Sequence, residues 1–419
     1  MRSLLVVTYW CLYFPLLKLL VFCLLGNKKV KQRLSFEQKN HAQAQCQSFK
    51  SEGAQADLCF EFSSEGEFQQ IAGLVSDALG AGKKLELIFF SPSVEKAIVE
   101  LAGLYPRQIR YLRFPLLSAN NKVHFSKWVS ARKLVMVRYD FFPELLLWAL
   151  RPGHQLIFLW VSLKRERLKG VAPGWYKLMF LRASQQLYFS TSEDLNYAKL
   201  LGLTGEVHDF RIEQIRRRLV HRLENFQRLL PEYPQLKSIM EKYPREKRLL
   251  FGNAWPSDLF LLKLLPEDVF ILVVPHQLTP EILQAFRTSL DRIRGKTVVL
   301  DDHTTTIVDS STYLLNKKGV LCELYSDFGK AYVGGGFQTS IHSVLEPLVS
   351  GSDGIACGPS NHRSSEYDLA AGMGMMTEVN GPEEFLGWLQ THHASRTGID
   401  KLEEVFNRYP QFRDKIVSC

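Results

Sequence analysis

The sequence predicts an α/β protein: two parallel, doubly wound sheets in one chain, preceded by an apolar helix. Three observations carry that prediction. From residue 57 onward, short apolar runs alternate with amphipathic stretches, the spacing of strand–helix–strand units. A stretch rich in Arg and Lys, from Ile212 to Lys247, splits that series in two. Ahead of both, Leu4–Leu25 is almost wholly apolar and is interrupted only by Pro15 and Lys18. A length of 419 residues agrees, giving a prior of two or three domains.

The first apolar run would reach roughly 33 Å as a helix at about 1.5 Å per residue, enough to cross a bilayer core. Lys28, Lys29, Lys31 and Arg33 follow it closely, and no acidic residue lies between Met1 and Phe36. Charges after the run place the rest of the chain in the cytoplasm. Residues 1–30 are thus expected to be a membrane anchor, spanning or interfacial, with 26–55 a polar connector.

Strands are expected at Leu58–Phe62, Lys84–Phe90, Arg110–Phe114, Leu134–Arg138, Gln155–Val161 and Gln186–Phe189. Helices are expected at Glu67–Leu79, from about Val94, and at Pro143–Leu150, Gly174–Leu181 and Ser192–Leu201. These make a domain over 31–215. A helical linker over 216–247 contains Arg216, Arg217, Arg218, Arg222, Arg228, Lys237, Lys242, Arg245 and Lys247. The second domain, 248–419, begins with a strand at Arg248–Phe251. It continues through Val269–Val274, Thr297–Leu300, Ala331–Val333 and Gly354–Ala356, and ends in helices near 382–391 and 400–407. Ligands usually bind at the carboxyl ends of such strands, here expected to face a shared cleft.

Composition narrows the partners. The net charge is +9, with 52 Lys plus Arg against 43 Asp plus Glu. No DNA-binding motif accompanies it, so an anionic membrane face and acidic or phosphorylated ligands fit better than nucleic acid. The seven cysteines are scattered without a CxxC pair, which predicts free thiols in a reducing compartment and neither a zinc site nor a disulfide framework.

Five motifs can carry chemistry. In FSSEGEF (62–68) a strand ends, Ser64 and Gly66 make a turn, and Glu67 opens a helix whose N-terminus favours its ionised form. That is a place for a general base, although Ser64 with Glu67 also fits a helix capping box. GGGFQTSIHSVLEP (334–347) puts Gly334, Gly335 and Gly336 straight after a strand, where their N–H groups can face phosphate. A helix expected from Ser340 would present His342 and Glu346 on one face, the carboxylate suited to the paired hydroxyls of a ribose. CGPSNHRSSE (357–366) offers Arg363 to phosphate and Asn361 to a base or sugar. GNAWPSD (252–258) and Pro275–His276 complete the set.

Together and in this order, these pieces resemble the bacterial Kdo transferase family, which moves 3-deoxy-D-manno-oct-2-ulosonic acid from CMP-Kdo onto the lipid A precursor. The likeness runs from about residue 57 to 385. It includes FFSPS (89–93), VRYDFFPELL (137–146) with its acidic Asp140, DFRIEQI (209–215) with Arg211, and NKKGVLCELY (316–325) with Gly319. The sequence departs from the family pattern at Ser343, where Asn is usual, and at Phe142, where Trp is common. It also departs in the simple Pro275–His276 pair and in SGSDGIAC after Val349.

The resemblance implies a GT-B fold, with two Rossmann-like domains, and inversion at the anomeric carbon without cofactor or metal. It implies Glu67 as the catalytic base. Donor contacts would come from Pro275, His276, Gly319, Gly334, Gly335, Gly336, His342, Ser343, Glu346 and Arg363, with Ser64, Gly66, Asp140 and Arg211 nearby. The expected location is the cytoplasmic face of the inner membrane. A GT-B enzyme for another nucleotide sugar and a non-catalytic membrane-bound nucleotide-sugar-binding protein are the alternatives.

Overall fold

The computed structural model describes residues 6–41, 44–117, 124–137, 140–163, 171–208, 211–217, 234–301, 303–304, 307–338, 340–361, 364–391 and 396–418. The chain forms two compact units: Met1–Phe210 together with Pro410–Cys419, and Arg211–Tyr409.

The first unit holds β1 (Leu58–Phe62), β2 (Leu85–Phe89), β3 (Ile109–Arg113), β4 (Lys133–Val137), β5 (Gln155–Val161), β6 (Gln186–Phe189) and β7 (Glu206–Val207). All neighbours pair in parallel, in the order β3-β2-β1-β4-β5-β6-β7. Strands such as LCFEF and LELIF are buried along their whole length, as a sheet covered on both faces requires. Helices Glu65–Gly80, Glu95–Leu104, Pro143–Ala149, Val171–Ala183 and Ser192–Leu200 supply the crossovers.

The second unit repeats the scheme with β8 (Arg248–Ala254), β9 (Phe270–Pro275), β10 (Val298–Leu300), β11 (Thr312–Leu315), β12 (Lys330–Val333), β13 (Gly354–Cys357) and β14 (Met376–Glu378). Its parallel order is β10-β11-β9-β8-β12-β13-β14. In each unit the first strand in sequence sits inside the sheet, and later strands lie on both sides of it. The crevices at the carboxyl ends of β1/β4 and of β8/β12 are therefore the topological switch points, the usual ligand position in open α/β sheets.

Three boundaries differ from the sequence reading. Residues 28–38 form a helix, and the segment that follows packs on the first unit instead of serving as a free connector. Arg33 ion-pairs with Glu37 at 2.6 Å and donates to the Phe114 carbonyl at 2.6 Å. Asn40 donates to the Arg113 carbonyl at 2.7 Å, and Trp128 donates to that of Cys46 at 2.8 Å. The second correction is at the far end. The last helix runs from Arg396 to Val417, and from Pro410 it belongs to the first unit. There Phe412 stacks on His208 at 3.7 Å and meets Tyr188 edge-on, while Lys415 pairs with Glu206 at 2.6 Å. Third, the described part of the linker is only partly helical: 211–217 and Pro234–Met240 are helical, 241–244 are not, and 218–233 lie outside the described residues. The sequence reading also omits β7, β11, β14 and the helix Pro280–Arg294.

Val6–Cys23 is one helix long and apolar enough to cross a membrane, and only 6% of it is buried. Its buried residue is Tyr9, whose hydroxyl donates to Glu144 Oε1 at 2.8 Å and meets His124 Nε2 at 3.0 Å. One end of the apolar helix is thus fixed to the first unit, and the remainder is exposed. Six described cysteines are free thiols.

Candidate active site

At the β1/β4 switch point, three of the sequence motifs meet. β1 ends at Phe62, and Ser64 caps the helix Glu65–Gly80 by accepting the Glu67 N–H at 3.4 Å. Glu67 reaches back, and its Oε2 accepts the Ser63 N–H at 2.6 Å. This is a capping box displaced by one residue, with the carboxylate held in the first turn of the helix. Glu67 is half-buried. Gly66 is an ordinary helical residue, contrary to the expected special turn conformation. A side chain added there would meet open space.

Asp140 follows β4 and accepts the Ser63 hydroxyl. Ser63 therefore holds both acidic groups, Glu67 through its N–H and Asp140 through its O–H. The aromatic residues explain the neighbouring motifs. Phe142 stacks on Phe90 at 4.5 Å, and Phe90 stacks on Phe114 at 4.5 Å, fixing the two loops that flank the acids.

The sequence reading missed Glu61. It is fully buried in β1, and neither of its oxygens accepts a bond from any donor among the described residues. Burial pushes its carboxyl well above the usual carboxylate range, and the neighbouring Asp140 and Glu67 push the same way. The available signal was an acid inside an otherwise apolar strand. Among the described residues no group of three His, Cys, Asp or Glu side chains is arranged to hold a metal ion.

In the second unit, Asp258 organises the β8/β12 switch point. It is wholly buried and accepts the Trp255 N–H at 2.8 Å, the Gly335 N–H at 3.4 Å and the Tyr332 hydroxyl at 3.2 Å. GNAWPSD is therefore a buried clamp that ties the turn after β8 to the glycines after β12. Those glycines pack against backbone. A Cβ on Gly334 would lie 2.2 Å from the Asn253 carbonyl, and one on Gly336 would lie 2.5 Å from Gly358 Cα. Gly335 has a φ of +98°, which favours glycine. The Gly334 N–H is bonded to Gly252, so two of the three N–H groups expected to face phosphate are already committed within the chain.

The helix expected from Ser340 begins at Leu345 and spans only Leu345–Val349. His342 therefore precedes it and does not share a helix face with Glu346. Instead His342 stacks on His276 at 4.0 Å, and His276 in turn lies 5.0 Å from the Trp255 ring. This row of three rings lies at the carboxyl ends of β8, β9 and β12, with Pro275 closing β9. His276 is exposed. Burial lowers the His342 value, with His276 adding to the effect, so His342 is neutral and carries one N–H donor.

Ser343 donates to Glu366 at 2.8 Å, and Arg211 lies 3.6 Å from the other oxygen of the same carboxylate. Arg211 is thus paired with a carboxylate. Glu346 is half-buried in the first turn of its short helix. Gly319 occupies an exposed turn after β11 at a φ of +78°. Asn361 is buried and donates to Glu378 at 2.6 Å. Arg363 lies outside the described residues.

Two Rossmann-like units, each with polar groups gathered at its switch point, define a two-domain α/β chain with two candidate ligand positions. No family model matches the chain, and no curated protein does. Among solved structures, it is similar to UDP-GlcNAc 2-epimerase from Neisseria meningitidis at 13% identity and a TM-score of 0.47, covering 86% of this chain and 94% of that one. The corresponding enzyme from Methanocaldococcus jannaschii matches at 11% identity and a TM-score of 0.49, covering 85% and 99%. The C-terminal CMP-Kdo binding domain of WaaA from Acinetobacter baumannii matches at 14% identity and a TM-score of 0.32, covering 45% of this chain and 95% of that domain.

Proposed function

We propose that this chain is an inverting glycosyltransferase of GT-B type that moves Kdo from CMP-Kdo to a lipid A precursor. The observation that carries the reading is Glu67, fixed by Ser63 and Ser64 in the first turn of a helix at the β1/β4 switch point. In this reading Glu67 removes the proton from the acceptor hydroxyl as it attacks the ketosidic carbon. The transition state carries oxocarbenium character, as in other glycosyl transfers. CMP leaves as a phosphate monoester and gains negative charge, which fixed donors must meet. His276, the neutral His342 and Arg363 are the groups proposed for that task, with Glu346 on the ribose. No resident metal is part of the proposal.

The proposed location is the cytoplasmic face of the inner membrane. The exposed apolar surface of Val6–Cys23 and the exposed Lys28, Lys29 and Lys31 support it. The test uses purified chain, CMP-Kdo and a tetra-acylated lipid A precursor. Mass spectrometry is expected to show the acceptor gaining Kdo, with CMP released in equal amount. Release of UMP or a nucleoside diphosphate from another donor, with CMP-Kdo untouched, would replace this reading with the other nucleotide-sugar enzyme.

A further inference from the structure

Glu61 has no role in the reaction as described so far, yet its position is costly. A carboxyl group with no water and no donor is disfavoured in its charged form. It is fully buried on β1, between Ile88 of β2 and Met136 of β4 in the sheet register. The acidic groups that face it are Asp140, from the loop after β4, and Glu67, from the helix after β1. On its own strand, Cys59 also lies close enough to feel its charge. No cation is among these neighbours. The Glu61–Asp140 contact is carboxyl to carboxyl, and it becomes a hydrogen bond only when one of the two carries a proton. Glu61 is the buried member, and Asp140 already accepts the Ser63 hydroxyl, so the proton belongs on Glu61.

We propose that Glu61 is a positioning residue of the catalytic group: as a neutral acid it donates its proton to Asp140 and fixes Asp140 as the ionised acceptor beside Glu67. The proposal rests on the reading of Glu67 as the base. Its logic is a chain of single bonds. Glu61 and Ser63 both donate to Asp140, and Ser63 also donates to Glu67. Asp140 held as an acceptor keeps the Ser63 hydroxyl in place, and Ser63 in turn holds Glu67 through its N–H.

Two measurements on the full chain in detergent test this. The first needs no activity: infrared difference spectra of Glu61→Gln against wild type at neutral pH. The variant is expected to lose a protonated-carboxyl C=O band. Loss of an ionised-carboxylate band instead overturns the proposal, even if the transfer reaction proves to be another one. The second is the pH profile of transfer. Glu61→Gln still presents an N–H to Asp140 and is expected to keep kcat within a few-fold and to leave the profile unmoved. Glu61→Leu cannot donate; its kcat is expected to fall about tenfold or more with KM unchanged, the acid limb moving to higher pH. A folded Glu61→Gln protein that is as inactive as Glu67→Gln would make Glu61 itself a proton acceptor and overturn the proposal. Circular dichroism and thermal melting of both variants establish that each is folded before rates are compared.

Discussion

Glu67→Gln separates the helix cap that this side chain makes from the proton acceptor it is proposed to be. Glutamine is nearly isosteric and keeps a carbonyl oxygen for the Ser63 N–H, which Glu67 Oε2 accepts at 2.6 Å. The Ser64–Glu67 backbone bond is untouched. What disappears is a negative charge at the helix N-terminus, about 0.3–1 kcal/mol at an exposed end. For a unit of this size that is a shift in Tm of a few degrees at most. The catalytic loss is on another scale. Removing a general base costs on the order of 10²–10⁴ in rate, about 3–5 kcal/mol of barrier. Glu67→Ala adds the unpaired Ser63 N–H, about 1–3 kcal/mol of stability, so the two variants should be equally inactive but unequally stable. The assay is single-turnover transfer from CMP-Kdo with donor affinity measured separately. Transfer by Glu67→Gln within a factor of three of wild type would leave Glu67 a cap and nothing more.

Gly336→Ala places a Cβ 2.5 Å from the Gly358 backbone, which cannot rotate away. A cost of about 1–3 kcal/mol or more is expected, read as a lower Tm together with weaker CMP binding by calorimetry. Phe412→Ala removes the ring stacked on His208 and is expected to cost about 3–5 kcal/mol, freeing the last turns of the C-terminal helix to proteolysis. His124 is pushed down to about 4 by burial, with Lys127 and Arg151 adding to the effect. Its neutral form therefore contributes stability that is present above the unfolded value of about 6.5 and is lost as pH falls toward 4. Denaturant midpoints across that window should fall in wild type and flatten in His124→Gln.

The sheet strands were legible because both faces are covered. FILVVP is apolar throughout, and LELIF is apolar but for Glu86, so no periodicity was needed to find them. The short edge strands were not: Glu206–Val207 and Met376–Glu378 are too brief and too polar to stand out. The return of the last helix to the first unit was also invisible. Its partners, Tyr188, Glu206 and His208, lie some two hundred residues earlier in the chain. At the candidate site, Glu67, Ser64 and Asp140 were found because turn chemistry and motif order mark them. Glu61 was hidden by its own strand, since its significance is its burial. The glycines were found for an incomplete reason. Their freedom is spent on packing backbone against Asn253, Ser340 and Gly358 before any ligand is considered.

The chemistry of the two switch points is unequal, and the inequality assigns the substrates. The groups that meet at the β1/β4 crevice are Glu61, Glu67 and Asp140, of which Glu67 and Asp140 take the two donors of Ser63. Such a place repels a phosphate and a sugar acid, but it suits a neutral hydroxyl that must lose a proton. The groups at the β8/β12 crevice are the Trp255, His276 and His342 rings, above a buried Asp258 whose charge is answered by three donors. Flat rings and imidazole N–H groups accept a nucleobase face and an anionic oxygen without requiring a fixed positive charge. On the proposed reading, the anionic donor sugar is placed with the second unit and the acceptor hydroxyl with the first. On this assignment, Glu67→Gln should leave CMP binding intact while abolishing transfer. His276→Ala should weaken CMP binding without changing the protonation of the acidic group. If CMP binding instead failed in Glu67→Gln and survived in His276→Ala, the nucleotide would sit in the first unit, and the assignment of substrates to units would be reversed.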